Sequence, residues 1–329
     1  MRWGILGTAG IAESAFLPAL AEVGGGQAAV VAGRDGARAA RWAGRHGVGV
    51  GVEGYGTVIE DPAIEAVYIP LPNGLHADWT IAALQAGKTV LCEKPLCATP
   101  AETARVLAVA TEAPGLLWEA FVFPFHDQMR RLEALLAAGA IGEVREVSSR
   151  FHFSLDDPED VRLLASLSGG STQDVGCYSI RLARLVFGTE PDLAGAIADA
   201  VWDDGVDVEL WGALRFPGER RLVLSCGFRS ASDTGARLFG TDGEIRMTNP
   251  FHPDVGDTLE VIRYGAALVS EAAAPSGERS FAPAIRHIER VLRDLEPPRH
   301  LAIDEAAGNA AAIAALLAAA GSTGRASVG

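Results

Sequence analysis

From its start to about Glu119 the chain alternates short apolar runs with stretches of helical periodicity. Trp3-Gly-Ile-Leu, Ala28-Ala-Val-Val-Ala, Ala66-Val-Tyr-Ile and Thr89-Val-Leu-Cys are continuous apolar runs, as expected of strands buried on both faces. Ala37 to His46, His76 to Ala86 and Pro100 to Glu112 have the composition and spacing of helices. This alternation predicts an α/β unit, a parallel sheet covered by helices on both faces.

After about Phe121 the period changes to two. Val206, Val208, Leu210, Leu214 and Phe216 share one face, opposite Asp207, Glu209 and Arg215. Pro217-Gly218 then turns the chain into Leu222, Leu224, Cys226 and Phe228, again at alternate positions, which predicts an antiparallel hairpin in a sheet with one apolar face. The change of texture sets a first domain over 1–120 and a second, for substrate and oligomer contacts, over 121–329. The Ala-rich stretch from Asn309 to Ala320 is expected to be a packed terminal helix, too short to span a bilayer, that returns to the first domain.

Composition narrows the function. At 49% hydrophobic, a chain of 329 residues can fill two cores. A formal net charge of −14 argues against nucleic acid, which demands clustered Lys and Arg, and favours a small neutral or weakly charged partner. The four cysteines form no C-x-x-C pair, so neither a zinc site nor a disulfide framework is implied, and a reducing cytoplasm is the expected compartment. The apolar start is broken by Glu13 and by glycines and reads as strand, turn and helix instead of a secretion leader. Asp156, Asp157, Glu159 and Asp160 around Pro158 suit a solvated turn better than a glycosidase pair. His126, His152 and His252 have no metal-ligand spacing and are taken as ordinary polar or pocket residues.

Directly after the first strand, Gly7-Thr8-Ala9-Gly10-Ile11-Ala12 is a relaxed dinucleotide fingerprint. Gly7 would make the tight turn and Ala12 would allow close helix packing. The usual middle glycine is replaced by Ala9, with Gly10 beside it to relieve crowding. The second strand ends at Gly33-Arg34-Asp35, where an NAD enzyme would place an acid on the ribose. A guanidinium at Arg34, with Arg38 one turn on, favours NADP, and NAD is the alternative cofactor. The competing view makes Arg34 a solvated side chain and Asp35 a helix cap. Leu71, Pro72, Asn73 and His76 would contact the cofactor beside the nicotinamide, as would Glu93 and Lys94 after the next strand, although Asn73 equally suits a helix cap.

Two segments carry the chemistry. Lys94 follows a buried apolar run and stands between Glu93 and Pro95, so its backbone is constrained at a strand end. A lysine desolvated there exchanges protons with an alcohol or carbonyl oxygen. In Gly169 to Tyr178, a helix opened by Asp174 would put Asp174 and Tyr178 on one face, a carboxylate beside a phenol. Standing alone, the same residues would be an N-cap and a half-buried tyrosine. The expectation is that the Lys94 amine and the Tyr178 phenol converge on one reacting oxygen.

Together these residues resemble the Gfo/Idh/MocA oxidoreductases over nearly the whole chain. Glu93-Lys94-Pro95 is the most specific motif, supported by Pro72-Asn73, His76 and Asp174-x-Gly176-x-Tyr178. The resemblance implies an N-terminal Rossmann doubly wound parallel sheet and a C-terminal α/β domain on an open, mainly antiparallel sheet. It also implies hydride transfer between nicotinamide and a hydroxyl or keto carbon of a sugar, polyol or cyclic diol, in a homodimer or homotetramer. Tyrosine at position 178 is similar to the branch holding glucose-fructose oxidoreductase, xylose dehydrogenase and dimeric dihydrodiol dehydrogenase. In that branch Lys94 and Tyr178 would be the acid/base pair and Asp174 would orient substrate or tyrosine. Phe123 and Pro124 stand where the family usually has a tyrosine and an arginine, which implies either a different pocket or reduced activity, and Ser171-Thr172-Gln173 is more polar than usual, which implies altered hydrogen bonding to hydroxyls. Two rival functions share the fold: a glycosidase-like or internal-redox enzyme that retains NAD, and a dinucleotide-sensing regulator without catalysis. The regulator need keep neither Lys94 nor Tyr178.

Overall fold

The computed structural model describes residues 1–266, 269–273 and 277–323. It forms two compact units, one of Met1–Phe125 with Glu278–Ala307, the other of His126–Gly277 with the chain from Gly308 on. The second unit is therefore not continuous, because residues 278–307 pack with the first.

In the first unit, strands β1 (Arg2–Leu6), β2 (Gln27–Gly33), β3 (Val50–Glu53), β4 (Ala66–Ile69), β5 (Thr89–Cys92) and β6 (Leu117–Glu119) form one sheet in the order β3-β2-β1-β4-β5-β6. Every pairing is parallel. Helices α1 (Leu17–Val23), α2 (Gly36–His46), α3 (Tyr55–Glu60), α4 (His76–Gln85) and α5 (Pro100–Glu112) make the crossovers. The four strands expected from sequence are all present. The missed ones are β3, whose Val-Gly-Val-Glu is only partly buried and forms no continuous apolar run, and β6, which has only three residues. Strand order reverses between β1 and β4, which opens a crevice at the strands' carboxyl ends.

One face of this sheet is packed around Trp3, Phe16 and Tyr68. Phe16 stacks on Tyr68 with ring centroids 4.2 Å apart and meets Trp3 edge-on. Helix α8 (Ala282–Val291) adds Phe281, Ile285 and Ile288 to the same core, which explains why residues 278–307 belong here. The Trp118 indole donates to the Arg299 carbonyl at 2.9 Å and ties this returning segment to β6.

The second unit holds helix α6 (Asp127–Ala137), strand β7 (Val144–Ser154), helix α7 (Cys177–Phe187) and strands β8 (Asp192–Asp203), β9 (Val206–Phe216), β10 (Arg220–Gly227), β11 (Arg229–Gly240), β12 (Gly243–Met247), β13 (Thr258–Arg263) and β14 (Val269–Ala272). Its eight strands follow the order β14-β13-β12-β11-β7-β10-β9-β8. All pairs are antiparallel except β7 with β10, so the sheet is open and mainly antiparallel, as expected. The β9–β10 hairpin pairs Phe216 with Arg220 around Pro217-Gly218. Val206, Val208, Leu210, Leu214 and Phe216 are buried on one face, while Trp211 and Ile197 stand exposed on the other. Asp207, placed by alternation on the solvent side, is instead buried.

Helix α9 (Ala302–Thr323) begins seven residues before the expected Ala-rich stretch. By length and composition alone, its segment Ala302–Gly321 is long and apolar enough to cross a membrane. In the fold, Ala302 and Ala306 belong to the core of the first unit, and Ala312, Leu316 and Ala320 are buried. The apolar surface that makes α9 long and hydropathic is thus partly spent on packing.

Candidate active site

The turn after β1 has the geometry that the sequence demands. Gly7 adopts φ +102°, where a side chain would be strained, and a β-carbon there would lie 3.0 Å from the Leu71 side chain. The helical run then starts at Gly10 and passes through a π-helical stretch, Ala12–Phe16, into α1. Nothing lies within 4 Å of a β-carbon placed on Gly10, so backbone there is open to a ligand. Ala12 is fully buried in the core, while Thr8 and Ala9 are half-buried and Ile11 is exposed. An exposed glycine turn leading into a helix start, at the carboxyl end of β1, suits a dinucleotide pyrophosphate.

At the end of β2, Asp35 caps α2 by accepting from the Arg38 backbone N–H at 3.0 Å. That bond and the nearby arginines hold its carboxyl below the usual range. The acid is thus committed to the helix and Gly33 ends the strand, leaving Arg34 and Arg38 exposed. Arg38, Ala40, Arg41, Gly44 and Arg45 line a depression of about 580 Å³ on the outer face of α2. Asp35 is thus the helix cap, as the competing view held, and Arg34 lies exposed beside it.

After β4, Leu71 is buried against Gly7, and Pro72 begins a 3-10 turn, Asn73–Leu75, that leads into α4. The N-cap positions of that turn and of α4 are Pro72 and Leu75, and neither side chain caps. His76 requires a correction. It is fully buried, with Nδ1 2.9 Å from the Pro95 carbonyl and Nε2 2.7 Å from the Leu71 carbonyl. Its ring therefore clamps the loop after β4 to the loop after β5 instead of facing a cofactor. Burial holds the imidazole below its ordinary range, and the Lys94 charge pushes the same way against the two carbonyls.

The loop bearing Lys94 hangs on two buried carboxylates. Glu93 accepts from the Tyr68 hydroxyl at 2.7 Å and from the Lys94 backbone N–H at 3.3 Å. Glu119, at the end of β6, accepts from the Leu96 backbone N–H at 2.8 Å. The Lys94-Pro95 peptide is cis. Lys94 itself is half-buried, while Phe123 and Pro124 are buried, Phe123 edge-on to Phe121. Glu119 was not singled out from sequence, and its signal was a lone acid closing the apolar run Leu116-Leu-Trp118.

In the second unit the helix carrying Asp174 and Tyr178 starts earlier than expected. A π-helical stretch, Thr172–Gly176, precedes α7, and the Asp174 N–H bonds the Gly170 carbonyl at 3.0 Å, so Asp174 lies inside the helix and does not open it. The carboxylate at the helix start comes from β9. One oxygen of Asp207 accepts from the Ser171 hydroxyl, the Thr172 N–H and the Thr172 hydroxyl at 2.7–2.8 Å. The polar tract is thus directed at Asp207, with Ser171 and Thr172 wholly buried, and the expected contact of these two with substrate hydroxyls is corrected.

Asp174 pairs with Arg162, whose Nε donates at 2.8 Å, and Arg162 also reaches Asp160. The other acids around Pro158 bond local groups, Asp156 to Ser154 and Asp157 to the Glu159 N–H, as a turn does. Tyr178 is nearly buried between Phe151 and Phe251, and its hydroxyl lies 3.3 Å from His252 Nε2. Arg162 and His252 are site residues that the sequence did not reveal, because one was a single cation in an acidic run and the other a histidine without ligand spacing.

All four cysteines are free and buried, and burial pushes Cys97 and Cys226 up to about 12, so neither supplies a thiolate. Among the described residues no group of three or more His, Cys, Asp or Glu is arranged to hold a metal.

Residues 1–121 match the model of an oxidoreductase family with an NAD-binding Rossmann fold, and residues 129–246 match the GFO/IDH/MocA C-terminal domain. The chain belongs to the GFO/IDH/MocA oxidoreductase family. Among members of this family, it is 37% identical over 301 residues to D-xylose 1-dehydrogenase (NADP(+)) 2 of Haloferax volcanii, covering 91% of each chain. It is 30% identical to trans-1,2-dihydrobenzene-1,2-diol dehydrogenase of Xenopus tropicalis over 75% of this chain and 74% of that one. The crystal structure of KijD10, a 3-ketoreductase from Actinomadura kijaniata in complex with NADP and TDP-benzene, superposes with a TM-score of 0.88 at 31% identity over 97% of each chain. That ketoreductase has also been solved with one lysine exchanged for alanine or glutamate and with one tyrosine exchanged for phenylalanine.

Asp207 holds the start of the helical run that carries Asp174 and Tyr178. Burial raises its pKa above 3.8 despite three donors, so the folded state holds the proton more tightly than the unfolded chain. Stability contributed by this group is full below the unfolded pKa and declines as pH rises through the folded value. Asp207→Ala should cost about 1–3 kcal/mol by leaving those donors unpaired. Asp207→Asn keeps an acceptor and should gain on the wild type as pH rises above about 4. Melting temperatures of the three proteins across that range check both expectations, and parallel curves for Asp207→Asn and wild type would contradict the second.

Proposed function

We propose that this chain is an NADP-dependent oxidoreductase that interconverts a hydroxyl and a keto carbon on a sugar, polyol or cyclic diol. One observation carries the proposal. A lysine is fixed by buried Glu93 and Glu119 at the carboxyl end of β5, at the end of the sheet that also bears the Gly7 turn, open at Gly10, and the loop after β4. The family members described above act on such substrates, and in KijD10 the exchanged lysine and tyrosine have the same separation along the chain as Lys94 and Tyr178.

The bound nicotinamide supplies hydride acceptance and donation. Gly7, Thr8, Ala9, Gly10 and Ile11 would hold its pyrophosphate, Arg34 and Arg38 its 2′-phosphate, and Leu71, Pro72 and Asn73 its nicotinamide side. Tyr178 takes the substrate hydroxyl proton in oxidation and returns it in reduction. Lys94 stabilises negative charge on the reacting oxygen, which is largest in the transition state. Asp174, held by Arg162, orients the substrate or the phenol. The four buried free cysteines favour a cytoplasmic location, which cell fractionation checks. The face of the second sheet carrying Trp211 and Ile197 is the pairing surface of a homodimer or homotetramer.

Lys94→Met should lower turnover on a sugar and polyol panel that includes D-xylose by about 10²–10⁴-fold while leaving NADP affinity nearly unchanged. Retained turnover would remove Lys94 from the chemistry. Exchanging Arg34 and Arg38 together for Ala should weaken NADP about 10–100-fold in a calorimetric titration, through lost charge-assisted bonds, and leave NAD affinity as it was. An equal loss for both cofactors would refute the phosphate role. Trp211→Asp should reduce the mass measured by light scattering to that of a monomer, and an unchanged assembly would place the interface elsewhere.

A further inference from the structure

The phenol of Tyr178 is almost closed off from solvent, yet its oxygen has a titratable neighbour that the proposed chemistry does not use. Phe151 and Phe251 flank the ring, at centroid distances of 5.6 and 5.0 Å, and the hydroxyl meets His252 Nε2 at 3.3 Å. His252 is itself held by its backbone. The Asn249 amide donates to the His252 carbonyl at 2.6 Å, and the His252 N–H donates back to the Asn249 side-chain oxygen at 3.2 Å. A loop this short, locked by two bonds to its backbone, holds the imidazole beside the phenol. Phe151 from β7 and Tyr178 from α7 face the imidazole. The charged groups on the phenol's own helix side are Asp174 and its partner Arg162.

We propose that His252 is the proton relay partner of Tyr178, acting through the phenol without touching substrate. The inference rests on the oxidoreductase role proposed above. A tyrosine that must lose its own proton before it can act is nearly idle at neutral pH, since a phenol titrates near 10, about three units away. A neutral imidazole removes that obstacle. As the substrate O–H bond breaks, its proton passes to the phenol oxygen while the phenol proton passes to Nε2. A bound oxidised nicotinamide would accept the C–H electron pair as hydride, leaving a carbonyl product and an imidazolium at His252. In reduction the imidazolium returns its proton through Tyr178 to the oxygen of the new alcohol. His252 thus sets the pH range in which Tyr178 works, and Tyr178 needs no standing phenolate.

The test compares wild type, His252→Gln and Tyr178→Phe. Glutamine retains the backbone bonds to Asn249 and a polar side chain but cannot carry the proton. The first measurement needs no substrate: the His252 imidazole is titrated by NMR in wild type and in Tyr178→Phe. Coupling predicts a shifted titration when the hydroxyl is removed, and an unmoved titration overturns the relay. The second follows NADP reduction with D-xylose against pH. His252→Gln should lose about 10²-fold or more at neutral pH with KM nearly unchanged, and its rising limb should move from the imidazole range toward that of a phenol, about 10. A uniform loss with the limb in place would make His252 merely structural and overturn the relay. Absence of turnover in the wild type would count against the proposed function with this sugar, and the NMR titration would still decide the relay.

Discussion

The candidate site depends on the fixation of one peptide segment, residues 93–96, by groups that are themselves out of water. Buried carboxylates are costly unless bonded, and a bonded one becomes a rigid acceptor. Glu93 is held by the Tyr68 hydroxyl, and Tyr68 is locked by stacking on Phe16, so the core of the first unit reaches the Lys94 backbone through two contacts. Glu119 grips the segment two residues later from β6, and His76 clamps it to the loop after β4. The side chain that would do chemistry is thereby placed by aromatic packing, carboxylate and imidazole instead of by its own conformational preference. Such support keeps the angular error of a reacting group small, and small errors are expensive in catalysis.

The second unit solves the same problem with a different carboxylate. Asp207 reaches across from β9 to the start of the helical run, where unpaired N–H groups and the helix dipole favour negative charge. Ser171 and Thr172 add hydroxyl donors, so that one buried oxygen collects three hydrogen bonds. The π-helical stretch follows at once, setting Asp174 against Arg162 and leading directly to Tyr178. In both units buried acids fix the backbone of the segment on which the proposed chemistry rests.

How much of this was legible follows from which physical signal each residue emits. Strands β1, β2, β4 and β5 announce themselves by unbroken apolar runs, and Gly7 by a turn that only glycine enters easily. Lys94 was visible because a cation ending such a run is out of place. Glu119, Asp207 and His252 emit no such signal, since what makes them matter is a partner far away in sequence: Leu96 for Glu119, Ser171 and Thr172 for Asp207, Tyr178 for His252. Alternation misassigned Asp207 to solvent for the same reason. A period of two reports which way a side chain leaves the strand, and says nothing of a helix start that later covers it. His76 shows the converse. Its motif position was informative, yet the clamp it forms between two carbonyls is a property of two loops and not of its neighbours in sequence.

Charge distribution adds a final constraint on what the site can accept. The chain carries a formal net charge of −14, and on average it repels anions. On α2, however, Arg38, Arg41 and Arg45 line a common depression, with Arg34 exposed just before the helix. Asp35, the acid that would cancel part of this charge, is engaged as the helix cap, an interaction that fixes its position at the α2 start. A cationic patch on an anionic protein concentrates ligands that bear their own localised negative charge, and a phosphate is matched to a guanidinium in geometry as well as sign. Local reversal of charge at this one helix is the feature on which the proposed role of Arg34 and Arg38 toward a 2′-phosphate rests.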